Sequence, residues 1–131
     1  MMDIKISNMS SVPIYQQVAT QIKSSILNGS LKCNDQLPSI RSLSKELEVG
    51  IITVKKSYEV LLQEELIYSK GAVGYFVNDI DLATVLSIKK EEYLVELKVI
   101  IDNAINDGLN TEDIKEIVDK VLEEKIYDKS E

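Results

Sequence analysis

Apolar residues recur every three or four positions along most of this chain, and where the rhythm breaks a glycine, proline, serine or asparagine stands at the break. Ile14, Val18, Ile22 and Ile26 repeat every four residues, which places them on one helix face, and Asn28-Gly29 closes the run as a helix stop. Pro13 suits the first turn of that helix, where its missing N–H would have had no partner. A helix is expected over residues 13–28, as scaffold. Before it, residues 1–12 form a polar lead-in in which Ile4 and Ile6 give one apolar alternation, the mark of a short strand. Residues 31–36 read as a loop.

The stretch 37–77 carries the densest pattern. Pro38 and Ser39 precede Ile40, Leu43 and Leu47, the spacing of a short amphipathic helix with a serine cap. After Glu48, Val49 and Gly50 the rhythm restarts in a new phase. Val54, Tyr58, Leu61 and Leu62 share one face of a longer helix, and Lys55, Lys56 and Glu59 lie on the other. Two helices joined by a few residues, the second with a basic outer face, form a helix-turn-helix pattern. Leu66, Ile67 and Tyr68, then a turn over 69–74 with two glycines, then Tyr75, Phe76 and Val77 predict a hairpin, or wing.

Beyond it, Leu82, Val85, Leu86, Tyr93, Leu97, Ile100, Ile101, Ala104 and Ile105 trace a helical stripe, with a bend or break expected over the polar run 87–92. Gly108 is placed to end that helix. Asn110 then caps a last one, with Asp113 at the third position and Leu109 and Ile114 spaced as a staple. The stripe of this helix is Ile114, Ile117, Val118, Val121 and Leu122, fading after Tyr127. The predicted fold is mainly α with a small β-hairpin: a winged helix-turn-helix over residues 11–79 and a two-helix segment over 80–131.

Two helices of this size rarely hold together unaided in water, so their apolar stripes need a covering surface. A second copy of the segment, related by a twofold axis, supplies one and would present two reading helices to a palindromic site. The candidate dimerisation residues are Tyr93, Leu97, Ile100, Ile101, Ala104, Ile114, Ile117 and Val121. Packing back onto the chain's own first part is the alternative.

Composition narrows the chemistry. The chain has 131 residues, 44% hydrophobic and 28% charged, which suits one ordinary globular domain with an appendage. Cys33 is the single cysteine and there is no histidine. An intrachain disulfide is excluded, no zinc cluster or histidine-based site can be built, and no metal or cofactor is expected. With no resolving cysteine, Cys33 is read as a small loop residue rather than a redox site. The first residues lack a signal-peptide pattern and no stretch approaches 18 apolar residues, so a cytoplasmic protein with no membrane partner is expected. Adjacent acids such as Glu64-Glu65 and Glu91-Glu92 point apart on a helix, which argues against an acid/base pair and an enzyme.

The net charge of −7 divides unevenly. Residues 1–79 hold eight basic and eight acidic side chains, whereas residues 80–131 hold seven and fourteen. The acidic second part should be repelled by DNA, while a neutral first part binds phosphate if its lysines cluster.

Four separated segments, PIYQQVATQIKSSILNG, LPSIRSLSKELEV, TVKKSYEVLLQEELI and KGAVGYFV, resemble in order and spacing the DNA-binding domain of the GntR family of bacterial transcription regulators. The resemblance covers about residues 11–79, and the short helical tail is similar to that of the YtrA branch, whose small C-terminal part dimerises. It implies a homodimeric regulator, a repressor, bound to an inverted-repeat operator in double-stranded DNA. It also implies DNA contacts at Arg41, at Gly50, Ile51, Ile52 and Thr53, at Lys55, and at Gly71 with Lys70 beside it. Ser39 in the arginine segment and Lys56 on the basic face complete the candidate set.

The departures carry information. Family members often have Ser-Arg-x-Thr where this chain has Gly50-Ile51-Ile52-Thr53, so the base-reading arginine is absent. Isoleucines cannot hydrogen-bond to base edges but can pack on thymine methyl groups, which predicts thymines at those steps. Ile51 is expected to face DNA; for Ile52, contact and partial burial in the core both stay open. The wing has Ala72 and Val73 where relatives often carry charge, and Glu48 stands where they often carry glycine. Fewer basic groups imply weaker binding and a shallower salt dependence. A small-molecule effector is left open; it would use the dimer seam or the space between the two parts and shift the population of DNA-competent dimers. The other reading is a winged-helix protein-interaction module, favoured by the missing arginine and the uncharged wing.

Overall fold

The computed structural model describes residues 3–130, with side chains through residue 126. Helices α1 (Ile14–Leu27), α2 (Ile40–Leu47) and α3 (Ile51–Gln63) come first, then an antiparallel hairpin of β1 (Ile67–Ser69) and β2 (Tyr75–Val77). Two longer helices follow, α4 (Leu82–Asn106) and α5 (Thr111–Ser130). The chain divides into two units between Ala83 and Thr84. This is the mainly helical architecture with one small hairpin that the periodicity predicts.

In the first unit α3 is the central element, packed by α1, α2 and β1. Val18, Ile22 and Ile26 of α1, Leu43 of α2 and Val54, Tyr58 and Leu61 of α3 are buried together with Leu37, Leu66, Ile67 and Val77. Each such large aliphatic side chain stabilises the fold by about 1.5–3 kcal/mol when fully removed from water. The predicted helical stripes are therefore the core.

Pro13 occupies the cap position just before α1 rather than its first turn, and its carbonyl accepts from the N–H groups of Gln16 and Gln17. The lead-in is not a strand. Ile4 and Ile6 pack against the core while the backbone between and beyond them is bound by two glutamines of α1. Gln21 accepts from the Lys5 N–H at 2.9 Å and donates to the Lys5 carbonyl, and Gln17 clasps the Ser7 N–H and carbonyl in the same way and also donates to Val12 O at 2.8 Å. A primary amide offers one donor edge and one acceptor edge, so it stands in for the partner strand that the alternation called for.

The loop 31–36 also takes a more ordered course than expected. Asn34 N–H donates to Val77 O, Val77 N–H to Asp35 O and Leu37 N–H to Tyr75 O, at 2.8, 2.9 and 2.9 Å. This segment covers the free edge of β2, whose other edge pairs with β1 in the register Ile67↔Val77, Tyr68↔Phe76 and Ser69↔Tyr75. Leu66 lies one residue before β1, and a single 3-10 turn, Gly71–Val73, fills the hairpin tip.

In the second unit α4 runs unbroken through residues 87–92, against the expected bend. No glycine or proline interrupts residues 82–106, lysine and glutamate favour helix, and Lys89 pairs with Glu92 at 3.2 Å one turn on. Gly108, at φ +100°, ends the helix, with its N–H on Ile105 O and that of Leu109 on Ala104 O, both at 3.0 Å. The cap of α5 is reciprocal as expected: Asp113 N–H donates to Asn110 Oδ1 at 2.9 Å and Asn110 N–H to Asp113 Oδ2 at 3.0 Å. No described helix is long and apolar enough to cross a membrane.

The single stripe predicted for α4 is incomplete. Ile88, Val95 and Val99 are exposed apolar residues on a further side of the helix, so α4 is apolar over more than one face. Leu97, Ile100, Ile101 and Ala104 of α4 and Ile114, Ile117 and Val121 of α5 line one groove, yet Ile100 stays 63% and Ile117 51% exposed; Tyr93 lies exposed further up α4.

Candidate nucleic-acid interface

The corner between α2 and α3 sets the position of α3, the candidate reading helix. Ser39 caps α2, accepting from Ser42 N–H at 3.0 Å and donating to Ser42 Oγ at 2.9 Å. At the other end Glu48 adopts the left-handed conformation, φ +56° and ψ +41°, a position that suits glycine. Ser44 then bonds to both groups of Val49, donating from Oγ to its carbonyl and accepting at its own carbonyl from the Val49 N–H. With the chain turned so, α3 begins at Gly50 with no side-chain cap.

Burial along α3 divides its faces. Val54, Ser57, Tyr58 and Leu61 point into the core, while Ile51, Ile52, Lys55, Lys56 and Glu59 are exposed and Thr53 is half-buried. Ile51 is 50% and Ile52 82% exposed, so neither is tucked into the core, and Ile52 is the more outward of the two. The reason is helical phase: Ile52 lies nearly opposite Val54 and Leu61.

Arg41 is exposed and takes part in neither the Lys23–Glu64 nor the Lys89–Glu92 ion pair. In the wing, Gly71 holds φ +56°, and the Lys70 ammonium lies 5.7 Å from the centre of the Phe76 ring, which itself stacks on Tyr68 at 5.6 Å. The wing tip is tied back by Gln36, whose side-chain amide donates to Val73 O at 3.0 Å. A side chain at Gly74 (φ +132°) would place its Cβ 3.0 Å from that same amide nitrogen. Val73, 62% exposed, is the uncharged tip.

Two residues outside the candidate set, Tyr15 and Ser57, also shape this surface. The Ser57 hydroxyl, fully buried on α3, has its one proton within reach of two carbonyls, Tyr15 O at 2.8 Å and Thr53 O at 3.1 Å, the nearer being that of Tyr15. The Tyr15 ring then sits under the Lys56 ammonium, 4.1 Å from its centre. The signal was faint: Tyr15 falls between stripe positions of α1, and nothing local links it to residue 56.

A family model described as "Bacterial regulatory proteins, gntR family" matches residues 14–77. The HTH-type transcriptional repressor YtrA of Bacillus subtilis (strain 168) is 30% identical over 118 residues, which cover 90% of this chain and 91% of that protein. Among solved structures, YtrA from Sulfolobus acidocaldarius, a GntR-family transcription factor, is 38% identical with a TM-score of 0.57, over 70% of this chain and 97% of that one. The DNA-binding domain of AraR in complex with operator ORX1 is 26% identical with a TM-score of 0.52, over 58% of this chain and 95% of that one.

Proposed function

Because this chain belongs to the GntR family and is a DNA-binding transcription regulator similar to YtrA, we propose that it is a cytoplasmic repressor that binds an inverted-repeat operator as a homodimer. Residues 11–79 read the DNA and residues 80–131 join the two copies. The observation that carries the first half is the outer face of α3, where Ile52, Lys55 and Lys56 stand exposed beside one another at the start of the helix. The start of a recognition helix is the part that meets base edges in a helix-turn-helix complex.

Each contact has a physical role. Arg41 can grip a guanine edge or a phosphate with two parallel hydrogen bonds. Ile51 and Ile52 pack on thymine methyl groups, Thr53 and Ser39 lie at helix starts where phosphates are met, and Gly71 lets the wing backbone approach closely. Lys55, Lys56 and Lys70 neutralise phosphates. With Arg41 they make eight basic groups in a dimer, so log K should fall with log salt with a slope of about −7 if all reach phosphate.

The exposed apolar surface of α4 and α5 supports the dimer, because monomers rarely leave contiguous apolar area of this kind in water. Sedimentation should give a dimer at micromolar concentration, and charged substitutions at Ile100 and Ile117 should return it to monomers.

Selecting bound fragments from random duplex DNA tests the reading as a whole. The expected product is a palindrome with thymines at the steps facing Ile52, and Arg41→Ala should weaken its binding by about 1–3 kcal/mol. Recovery of no enriched sequence, or of a single half-site without symmetry, would rule it out.

A further inference from the structure

We infer that Tyr15 is a positioning residue for DNA binding, whose ring face holds the Lys56 ammonium in place for a phosphate. This rests on the reading of Lys56 as a DNA contact and adds a residue of α1 to it.

Lys56 is an exposed side chain on a four-carbon stem, and such a stem ordinarily samples many rotamers before it meets an anion. Here the head is already placed, 4.1 Å above the Tyr15 ring centre. The ring in turn is carried by backbone that cannot drift from α3. The Tyr15 carbonyl is bonded by the buried hydroxyl of Ser57, the residue next to Lys56. This hydrogen bond, together with the core packing of α1 on α3, fixes the two backbones that carry the ring and the ammonium.

An aromatic face suits this task better than a carboxylate. A glutamate at the same place would hold the ammonium by neutralising it and would then compete with the phosphate. A ring quadrupole attracts the cation yet leaves its charge and its outward N–H donors available. Lys70 over Phe76 in the wing repeats the arrangement at the longer distance of 5.7 Å.

The test is a double-mutant cycle on operator binding by the full chain, read as affinity and as salt slope. Lys56→Met should weaken binding and make the slope shallower by about 0.9 per protomer. Tyr15→Leu should weaken binding by about two- to fivefold with the slope unchanged, and should cost nothing further in the Lys56→Met background. Tyr15→Phe, which keeps the ring, should stay within about twofold of the unsubstituted protein. Any loss of fold stability in Tyr15→Leu is common to both backgrounds and cancels in the comparison. If Tyr15→Leu costs the same in both, or Tyr15→Phe is as harmful as Tyr15→Leu, the ring does not act through Lys56 and the inference falls while the DNA-binding reading stands. If Lys56→Met is silent, the assignment of Lys56 fails and takes the inference with it.

Discussion

Tyr58 on α3 donates its hydroxyl to the carbonyl of Pro38, just ahead of α2, at 2.7 Å. The same ring stands edge-on to Tyr75 of β2, with centroids 5.1 Å apart, so one buried side chain joins α3 to the start of α2 and to the wing. The three elements of the proposed DNA-binding surface meet at this residue.

Tyr58→Phe should therefore keep the fold but lower stability by about 1–3 kcal/mol, because the Pro38 carbonyl loses its donor. Urea unfolding measures this. Burial, and to a lesser degree Tyr75, pushes the pKa of the Tyr58 hydroxyl well above its ordinary value, so that it holds its proton more tightly. The folded protein then keeps a proton that the unfolded chain releases near pH 10, so the stabilisation is complete below that pH and lost above it, at up to about 1.4 kcal/mol per pH unit. Tyr58→Phe should flatten that alkaline fall.

Glu48 holds a left-handed backbone that costs a non-glycine residue about 1–2 kcal/mol. Glycine removes the cost but adds freedom to the unfolded chain, which takes back about 0.4–1 kcal/mol. Glu48→Gly should raise stability by up to about 1 kcal/mol, and Glu48→Ala should not. Paired denaturation curves decide the matter.

Ile52 and Leu61 lie on opposite faces of one helix and should separate binding from folding. Ile52→Ala should leave stability within about 0.5 kcal/mol and reduce the preference for thymine. Leu61→Ala should cost about 2–5 kcal/mol of stability, since its side chain is fully buried. Thermal melts together with binding to operators carrying uracil, which lacks the methyl group, test both halves.

Gln17→Ala removes three hydrogen bonds that hold the lead-in to α1. The Ser7 amide should then exchange faster, while the amides of buried Val54 and Leu61 keep their protection. Hydrogen exchange resolved by residue would show whether the release stays local.

Much of this was legible in the chain. The stripes of Val18, Ile22 and Ile26 and of Val54, Tyr58 and Leu61 mark burial by their spacing, and the pair Asn110 and Asp113 marks a helix start, because each signal acts within about one helical turn. The bend expected in α4 is absent for the same reason in reverse: the polarity of 87–92 suggests a break, yet lysine and glutamate are good helix formers and no residue there interrupts the ladder. The alternation of Ile4 and Ile6 was real, but its partner was a pair of glutamine side chains, which carry no strand pattern.

By itself, then, the sequence determined the helices, the hairpin, the buried faces and the family, since these rest on periodicity and on motifs that neighbours in the chain define. Only the tertiary structure decided that residues 34–37 cover the edge of β2 and that Tyr15 lies beneath Lys56. Those relationships join residues of different elements or depend on how one helix is rotated against another. Nothing within a single element's pattern sets that rotation; it comes from the packing of all the buried side chains at once.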